Sequence, residues 1–156
     1  MESFDKNRGF TLTEMIIVII IIGILSAAVF IRWSKSTTDL DAQKALLVND
    51  LRYTQNLSMS RNERYRFVII SSIKYDIQDS NGNSQEIPST ANGNLISGIT
   101  LSSPINIIIF DGRGTPYNGS TTPESLITSE VIITLQNSAG QTRTIHITPL
   151  TGKVSI

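Results

Sequence analysis

One uncharged stretch constrains the fold of this 156-residue chain more than any other feature of its sequence. The 17 residues of Met15–Ile31 include no Asp, Glu, Lys or Arg, and most of them are isoleucine, leucine, valine or alanine. Extended back to Phe10, the stretch has 22 residues. As an α-helix it would measure about 33 Å, close to the thickness of the hydrocarbon core of a bilayer. We therefore predict a membrane-spanning helix over residues 10–31.

The residues after this stretch continue a helical pattern in amphipathic form. Five apolar residues fall mostly on one stripe of a 3.6-residue period: Leu40, Leu47, Val48, Leu51 and Leu57. The polar residues between them, including Asp50 and Arg52, are expected on the solvent side. No proline occurs before Pro88, so nothing interrupts the helix before about Asn62. The sequence predicts one long helix, with its first half in lipid and its second half packed on a domain.

The remainder of the chain has the patterns of β-strands. Seven segments rich in β-branched or aromatic residues predict strands: Arg66–Ser71, Ile73–Gln78, Ile96–Leu101, Ile105–Phe110, Glu130–Gln136, Thr142–Thr148 and Lys153–Ile156. Ile105–Phe110 is a continuous apolar run suited to a central strand, whereas residues 112–125 predict a loop. We therefore predict an α+β fold, in which the amphipathic helix packs on an antiparallel β domain of residues 63–156. Helix and sheet together form one domain over residues 32–156.

Composition excludes several kinds of chemistry. Lys plus Arg and Asp plus Glu both number 13, so the net charge is zero, which argues against a partner bound mainly through bulk positive charge. The absence of cysteine and the single histidine, His146, exclude disulfides, cysteine nucleophiles and multi-histidine metal sites. His146 alternates with Ile145 and Ile147 along a predicted strand, and we expect it on the polar face. We predict neither an enzyme nor a metal or cofactor site.

A single carboxylate stands at the start of the apolar stretch. Glu14 follows shortly after Gly9 and Phe10, at the boundary between polar and apolar sequence. A carboxylate at the bilayer centre costs on the order of 2.5–3.5 kcal/mol, so such a group usually has a partner. One interpretation is that cleavage between Gly9 and Phe10 frees an ammonium group, which pairs with Glu14 of a neighbouring subunit. The other is that Glu14 only marks a helix N-terminus, where the helix dipole favours an anion.

The string GFTLTEMIIVIIIIGIL, which begins at Gly9, resembles the signature of type IV prepilins and of the pseudopilins of type II secretion systems. The resemblance implies that residues 1–9 are a leader peptide. It implies that a prepilin peptidase cleaves between Gly9 and Phe10 and methylates the new N-terminal Phe10. It further implies that Glu14 neutralises the amino terminus of a neighbouring subunit during assembly, and that the fold is the pilin type.

The same resemblance implies a location and a set of partners. The chain would cross the bacterial inner membrane once, with its C-terminal domain in the periplasm, and would later enter a periplasmic or extracellular filament. Its partners would be other pilin or pseudopilin subunits, the peptidase, the inner-membrane assembly machinery and the lipid bilayer. The Phe110–Gly114 turn and the closing Thr151–Val154 resemble the GspH/FimT group of minor subunits. We therefore expect a structural minor pilin or pseudopilin.

Two other interpretations remain open at this point. Arg64 and Arg66 alternate with Tyr65 and Phe67, and Lys153 could join them in a patch. Basic groups interleaved with aromatic side chains suit single-stranded nucleic acid, so a DNA-binding minor pilin is an alternative that we do not favour. Equally, the two aromatic rings could face the core and leave the arginines solvated.

The second interpretation is an ordinary secretory signal peptide. Lys6 and Arg8 would form its charged region, and cleavage after Ala28 would release a soluble β domain. Glu14 lies between the charged and apolar regions, and a carboxylate at that position is not a feature of a signal peptide. We therefore rank this interpretation last.

Overall fold

The computed structural model describes residues 11–89 and 92–156, and for residues 27–35 it describes the helical backbone without the side chains. The chain divides into two compact units, one ending at Lys35 and the other formed by Ser36–Ile156. The second unit contains all the β-structure of the described residues.

A single helix, α1, covers Leu12–Arg61, a length of 50 residues. It ends where the amphipathic pattern predicts. Asn62 adopts a left-handed backbone conformation with φ of 52°, and the amide of Glu63 donates to the carbonyl of Ser58 at 3.2 Å. A left-handed residue after the last turn lets the following amide groups hydrogen-bond to the helix carbonyls that have no partner within the helix.

Over the described residues, no helix has the length and hydropathy that a membrane crossing requires. The predicted span, residues 10–31, includes Phe10, which lies outside the described residues. The span stays a prediction.

Nine β-strands of the described residues form two antiparallel sheets. The strands are β1 Tyr65–Ser71, β2 Lys74–Gln78, β3 Ile99–Ser102, β4 Ile107–Phe110, β5 Pro116–Asn118, β6 Ser125–Leu126, β7 Val131–Asn137, β8 Thr142–Ile147 and β9 Val154–Ser155. The first sheet has the order β2-β1-β4-β5-β6 and the second has the order β3-β7-β8-β9. The strand predicted to be central, β4, is the middle strand of the first sheet.

The predicted loop over residues 112–125 is wrong in part, because it contains β5 and the first residue of β6. The sequences of these two short strands have little β-propensity of their own. The strands form because adjacent strands provide their hydrogen-bond partners. Tyr117 pairs with Ile109 on one side and with Leu126 on the other. Tertiary pairing thus overrides a segment whose composition is typical of a loop.

The core lies between the helix and the two sheets. Leu40, Leu47, Val48 and Leu51 of α1 are at most 2% exposed and belong to one hydrophobic cluster with apolar side chains of both sheets. The prediction that Leu57 joins them is wrong, because Leu57 is only half-buried. The stripe ends instead with hydroxyl side chains: buried Thr54 and Ser58 donate to carbonyl groups one turn earlier in α1, at 2.8 and 3.0 Å.

Asp50 also departs from expectation, because it is 1% exposed rather than on the solvent side. The hydroxyl of Tyr75, on β2, donates to Oδ2 of Asp50 at 2.5 Å. Burial raises the pKa of the Asp50 carboxyl above its ordinary value, although the hydrogen bonds from Tyr75 and Ser89 oppose that shift. The carboxyl group of Asp50 on α1 therefore faces the first sheet, where the hydroxyl of Tyr75 is its hydrogen-bond donor.

Replacing this carboxylate, as in Asp50→Asn, should stabilise the domain at neutral pH and have less effect in acid. Because the pKa of Asp50 is raised in the folded state, wild-type stability falls as pH rises above the unfolded-state pKa of about 4 and through the folded-state pKa. Asparagine keeps an acceptor for Tyr75 and carries no charge. The difference in Tm between variant and wild type, followed by circular dichroism from pH ~4 to ~7, should grow with pH. A difference that is independent of pH would contradict this account.

Candidate functional site

The start of α1 has the geometry of a reciprocal cap. The amide and hydroxyl of Thr11 donate to Oε2 of Glu14 at 3.3 and 3.2 Å. In return, the amide of Glu14 donates to the Thr11 hydroxyl oxygen at 3.3 Å. This is the capping box, in which two otherwise open donors at a helix N-terminus are satisfied by a pair of side chains three residues apart. Sequence reasoning missed the role of Thr11, although the Thr-x-x-Glu spacing before an apolar run was a usable signal.

The cap leaves Glu14 able to take a second partner. Glu14 is exposed, and both bonds from Thr11 end on the same carboxylate oxygen, Oε2. An ionised carboxylate offers about four acceptor positions, so capping and pairing with an ammonium group are compatible. The predicted pairing partner, Phe10, and the predicted cleavage position at Gly9 lie outside the described residues.

The helix behind Glu14 presents apolar side chains in all directions. Four consecutive residues, Ile16 to Ile19, are 49, 51, 45 and 67% exposed. Consecutive residues of an α-helix are about 100° apart, so these four cover the whole circumference. A helix that is apolar on every side is stable where lipid or other helices surround it.

The two arginines proposed as nucleic-acid contacts are held by a carboxylate. Arg64 lies 2.6 Å from Glu124 and Arg66 lies 3.8 Å from the same side chain. The Arg64 guanidinium also stacks 5.1 Å from the ring centre of Tyr117, while Tyr65 and Phe67 are buried in the core. The basic and aromatic side chains therefore point to different sides of the strand, and Glu124 offsets part of the positive charge.

Lys153 does not join these arginines in a shared ion pair. It lines a surface cavity of about 390 Å³ between α1 and the turn before β9. The lining residues are Arg52, Gln55, Asn56, Thr151, Lys153 and Val154. The predicted patch is thus split into two separate surfaces. Sequence reasoning missed Arg52, which lies 102 residues from its contact, Val154.

Two other polar side chains, His146 and Asp79, have local structural partners. His146 lies opposite the buried Ile145 and Ile147 on its strand, as expected, and its Nδ1 atom is 3.2 Å from Glu130. Asp79 accepts hydrogen bonds from the amides of Asn81 and Asn83 at 2.8 and 2.9 Å, in a hairpin turn. Over residues 11–89 and 92–156, no cluster of three or more His, Cys, Asp or Glu side chains is arranged to hold a metal ion.

Comparisons with known proteins agree with these features. Residues 4–30 match the family model of the prokaryotic N-terminal methylation motif. The fold resembles two crystal forms of the type IV minor pilin FimU of Pseudomonas aeruginosa strain PAO1. One has a TM-score of 0.54 at 13% identity, covering 81% of this chain and 91% of that chain. The other has a TM-score of 0.52 at 14% identity, covering 74% and 89%. No curated protein sequence matches the chain.

The chain therefore combines an N-terminal methylation motif with an α+β fold like that of a type IV minor pilin. The motif covers the N-terminal part of the chain, and the likeness to FimU concerns the fold.

Proposed function

We propose that the chain is a minor pilin or pseudopilin, a structural subunit of a type IV pilus or of a type II secretion pseudopilus. One observation carries the proposal: the methylation motif of residues 4–30 overlaps the start of a helix whose later part packs on a pilin-fold domain in the same chain. A filament subunit needs both parts, since the motif directs processing and the domain forms the filament surface.

In this proposal, the prepilin peptidase removes residues 1–9 and methylates Phe10. Residues 10–31 anchor the subunit in the bacterial inner membrane, and the domain of residues 32–156 lies in the periplasm. The apolar circumference of the helix supports this arrangement, because lipid surrounds it before assembly and helices of other subunits surround it afterwards. The assembly machinery of the inner membrane then moves the subunit into the filament.

Glu14 has a specific role in this assembly. Its carboxylate keeps the helix cap with Thr11 in the membrane subunit and gains the Phe10 ammonium group of a neighbour in the filament. A charge pair within a low-dielectric helix bundle favours one register of neighbouring subunits, because any other register leaves two charges without partners.

Fractionation tests the proposal and separates its two forms. Cells producing the tagged chain are sheared, and the surface filaments are separated from the membrane. A type IV pilin appears in the sheared filaments in small amounts beside the major subunit. A pseudopilin stays with the cell envelope, and its deletion blocks protein secretion. Absence of the chain from every filament and normal secretion and piliation after its deletion would contradict both forms.

DNA binding has little support in the structure, and we expect it to be weak. Arg64 and Arg66 share one carboxylate, Glu124, so each could contact phosphate only by giving up that pair. Counterion release predicts that such binding falls steeply between low and physiological salt. Fluorescence anisotropy with single-stranded DNA should give no submicromolar affinity at about 150 mM salt. Tight binding that disappears in Arg64→Ala plus Arg66→Ala, but not in the control Lys74→Ala, would overturn this ranking.

A further inference from the structure

Hydrogen bonds and close backbone packing fix the walls of the cavity beside Lys153. The Gln55 side-chain amide donates to the carbonyl groups of Gly114 and Thr151 at 2.9 and 3.0 Å. Gly152 has φ of +65°, and a Cβ atom there would lie only 2.4 Å from the Gly114 carbonyl oxygen. The turn before β9 is therefore fixed against α1 before any partner arrives. A preorganised site loses little conformational freedom on binding.

Two cations line this cavity, and none of its six lining residues is acidic. One guanidinium nitrogen of Arg52 donates to the Val154 carbonyl at 3.0 Å, which fixes the group and leaves its other N–H donors to the cavity. Among the described residues, the ion pairs with carboxylates involve Arg64, Arg66, Arg143 and His146, all outside the cavity. The cavity therefore offers the cationic groups of Arg52 and Lys153 to a carboxylate of another molecule.

A helix face of small, polar and basic residues leads up to the cavity, and Asp41, which is paired with Arg143, flanks its far end. Five exposed residues of α1 recur at spacings of three and four: Ala42, Ala45, Asn49, Arg52 and Asn56. This is the spacing at which one helix packs along another. Alanine side chains allow a close approach, since interaxial distances depend on the side chains at the contact. Arg52 and Asn56 belong to both the face and the cavity.

We propose that this face and cavity form a docking surface for an α-helix of a neighbouring pilin-type subunit, with a carboxylate of that helix entering the cavity between Arg52 and Lys153. The inference rests on the proposed function, since it presumes a filament. A helix fits better than DNA here. Phosphate tracking needs a row of cations, whereas Ala42, Ala45 and Asn49 are uncharged.

Photo-crosslinking in cells tests the docking surface with the full chain. A photoreactive amino acid at Asn56 faces the proposed partner, and the same amino acid at Thr144, on the exposed side of the second sheet, serves as control. We expect the Asn56 adduct to contain a helical peptide of a pilin-type subunit with an Asp or Glu near the crosslink. The Thr144 position should not give that adduct.

Charge reversal then tests the cavity. Lys153→Glu should lower the Asn56 adduct about tenfold, because a desolvated charge pair becomes a repulsion. The matched control Lys74→Glu changes the net charge equally, lies on β2 and should have no effect. Replacing the mapped carboxylate of the partner by lysine should restore the adduct in the Lys153→Glu chain. Because Lys153 is exposed, its reversal leaves the fold intact, and an unchanged unfolding curve checks this.

Four results would overturn the inference. They are an adduct with DNA, an adduct with a protein that is not a pilin type, an adduct unaffected by Lys153→Glu, and no adduct from a chain that is present in filaments. The last result leaves the proposed function standing. If the chain is absent from every filament, the proposed function fails and the docking surface fails with it.

Discussion

A Glu14→Leu chain should be cleaved after Gly9 and inserted in the membrane like the wild type, yet should be nearly absent from filaments. Insertion should improve slightly, because a polar cost is removed. Assembly should fail because the Phe10 ammonium group of the neighbour is left buried without its partner, a loss of about 3–5 kcal/mol. That loss corresponds to a drop in incorporation of more than about a hundredfold. Immunoblots of sheared filaments and of membranes measure both quantities.

Two further variants separate the charge of Glu14 from its role in the helix cap. Glutamine also completes a capping box, so Glu14→Gln keeps the cap and removes the charge. Thr11→Ala removes the cap and keeps the charge. The pairing mechanism predicts that Glu14→Gln fails to assemble and Thr11→Ala assembles. The opposite pattern would show that Glu14 acts only as a capping residue.

The second large effect concerns the core. Leu51→Ala should lower the free energy of unfolding of a fragment that begins at Arg32 by roughly 2–5 kcal/mol, because Leu51 is fully buried between helix and sheets. Leu57→Ala is the matched control, since the same atoms are removed one to two turns later from a half-buried side chain. Its effect should be less than half as large. Urea unfolding followed by circular dichroism measures both. Equal losses, or no cooperative unfolding of the wild-type fragment, would contradict the described packing.

The parts of the fold that were predictable depend on signals close together in sequence. The end of α1 follows from a periodic pattern that stops before Asn62, and the β7–β8 hairpin follows from alternation on both sides of Ser138-Ala139-Gly140. Asp50 could not be placed in this way. Its partner, Tyr75, is 25 residues away, and a carboxylate is ordinarily an exposed residue.

The residues of the candidate site also differ in how far apart their signals lie in the sequence. Gly9, Phe10 and Glu14 stand out because a motif keeps them at fixed spacing, and residues 4–30 match the methylation motif. The sequence did not reveal that Arg64 and Arg66 share a carboxylate, because Glu124 lies 60 residues after Arg64 within a segment of loop-like composition. Charge balance on a surface depends on such distant pairs, and sequence spacing does not reveal them.

The N-terminus of the mature chain tests the central claim most directly. If the chain is a processed pilin subunit, protein extracted from membranes or filaments begins at Phe10 and carries a methyl group on its amino nitrogen. Intact-mass measurement and N-terminal sequencing together detect both features. A chain that begins at Val29 would instead establish a secretory signal peptide cut after Ala28, and a chain that keeps Met1 would show that no prepilin processing occurs. Either result would contradict the account.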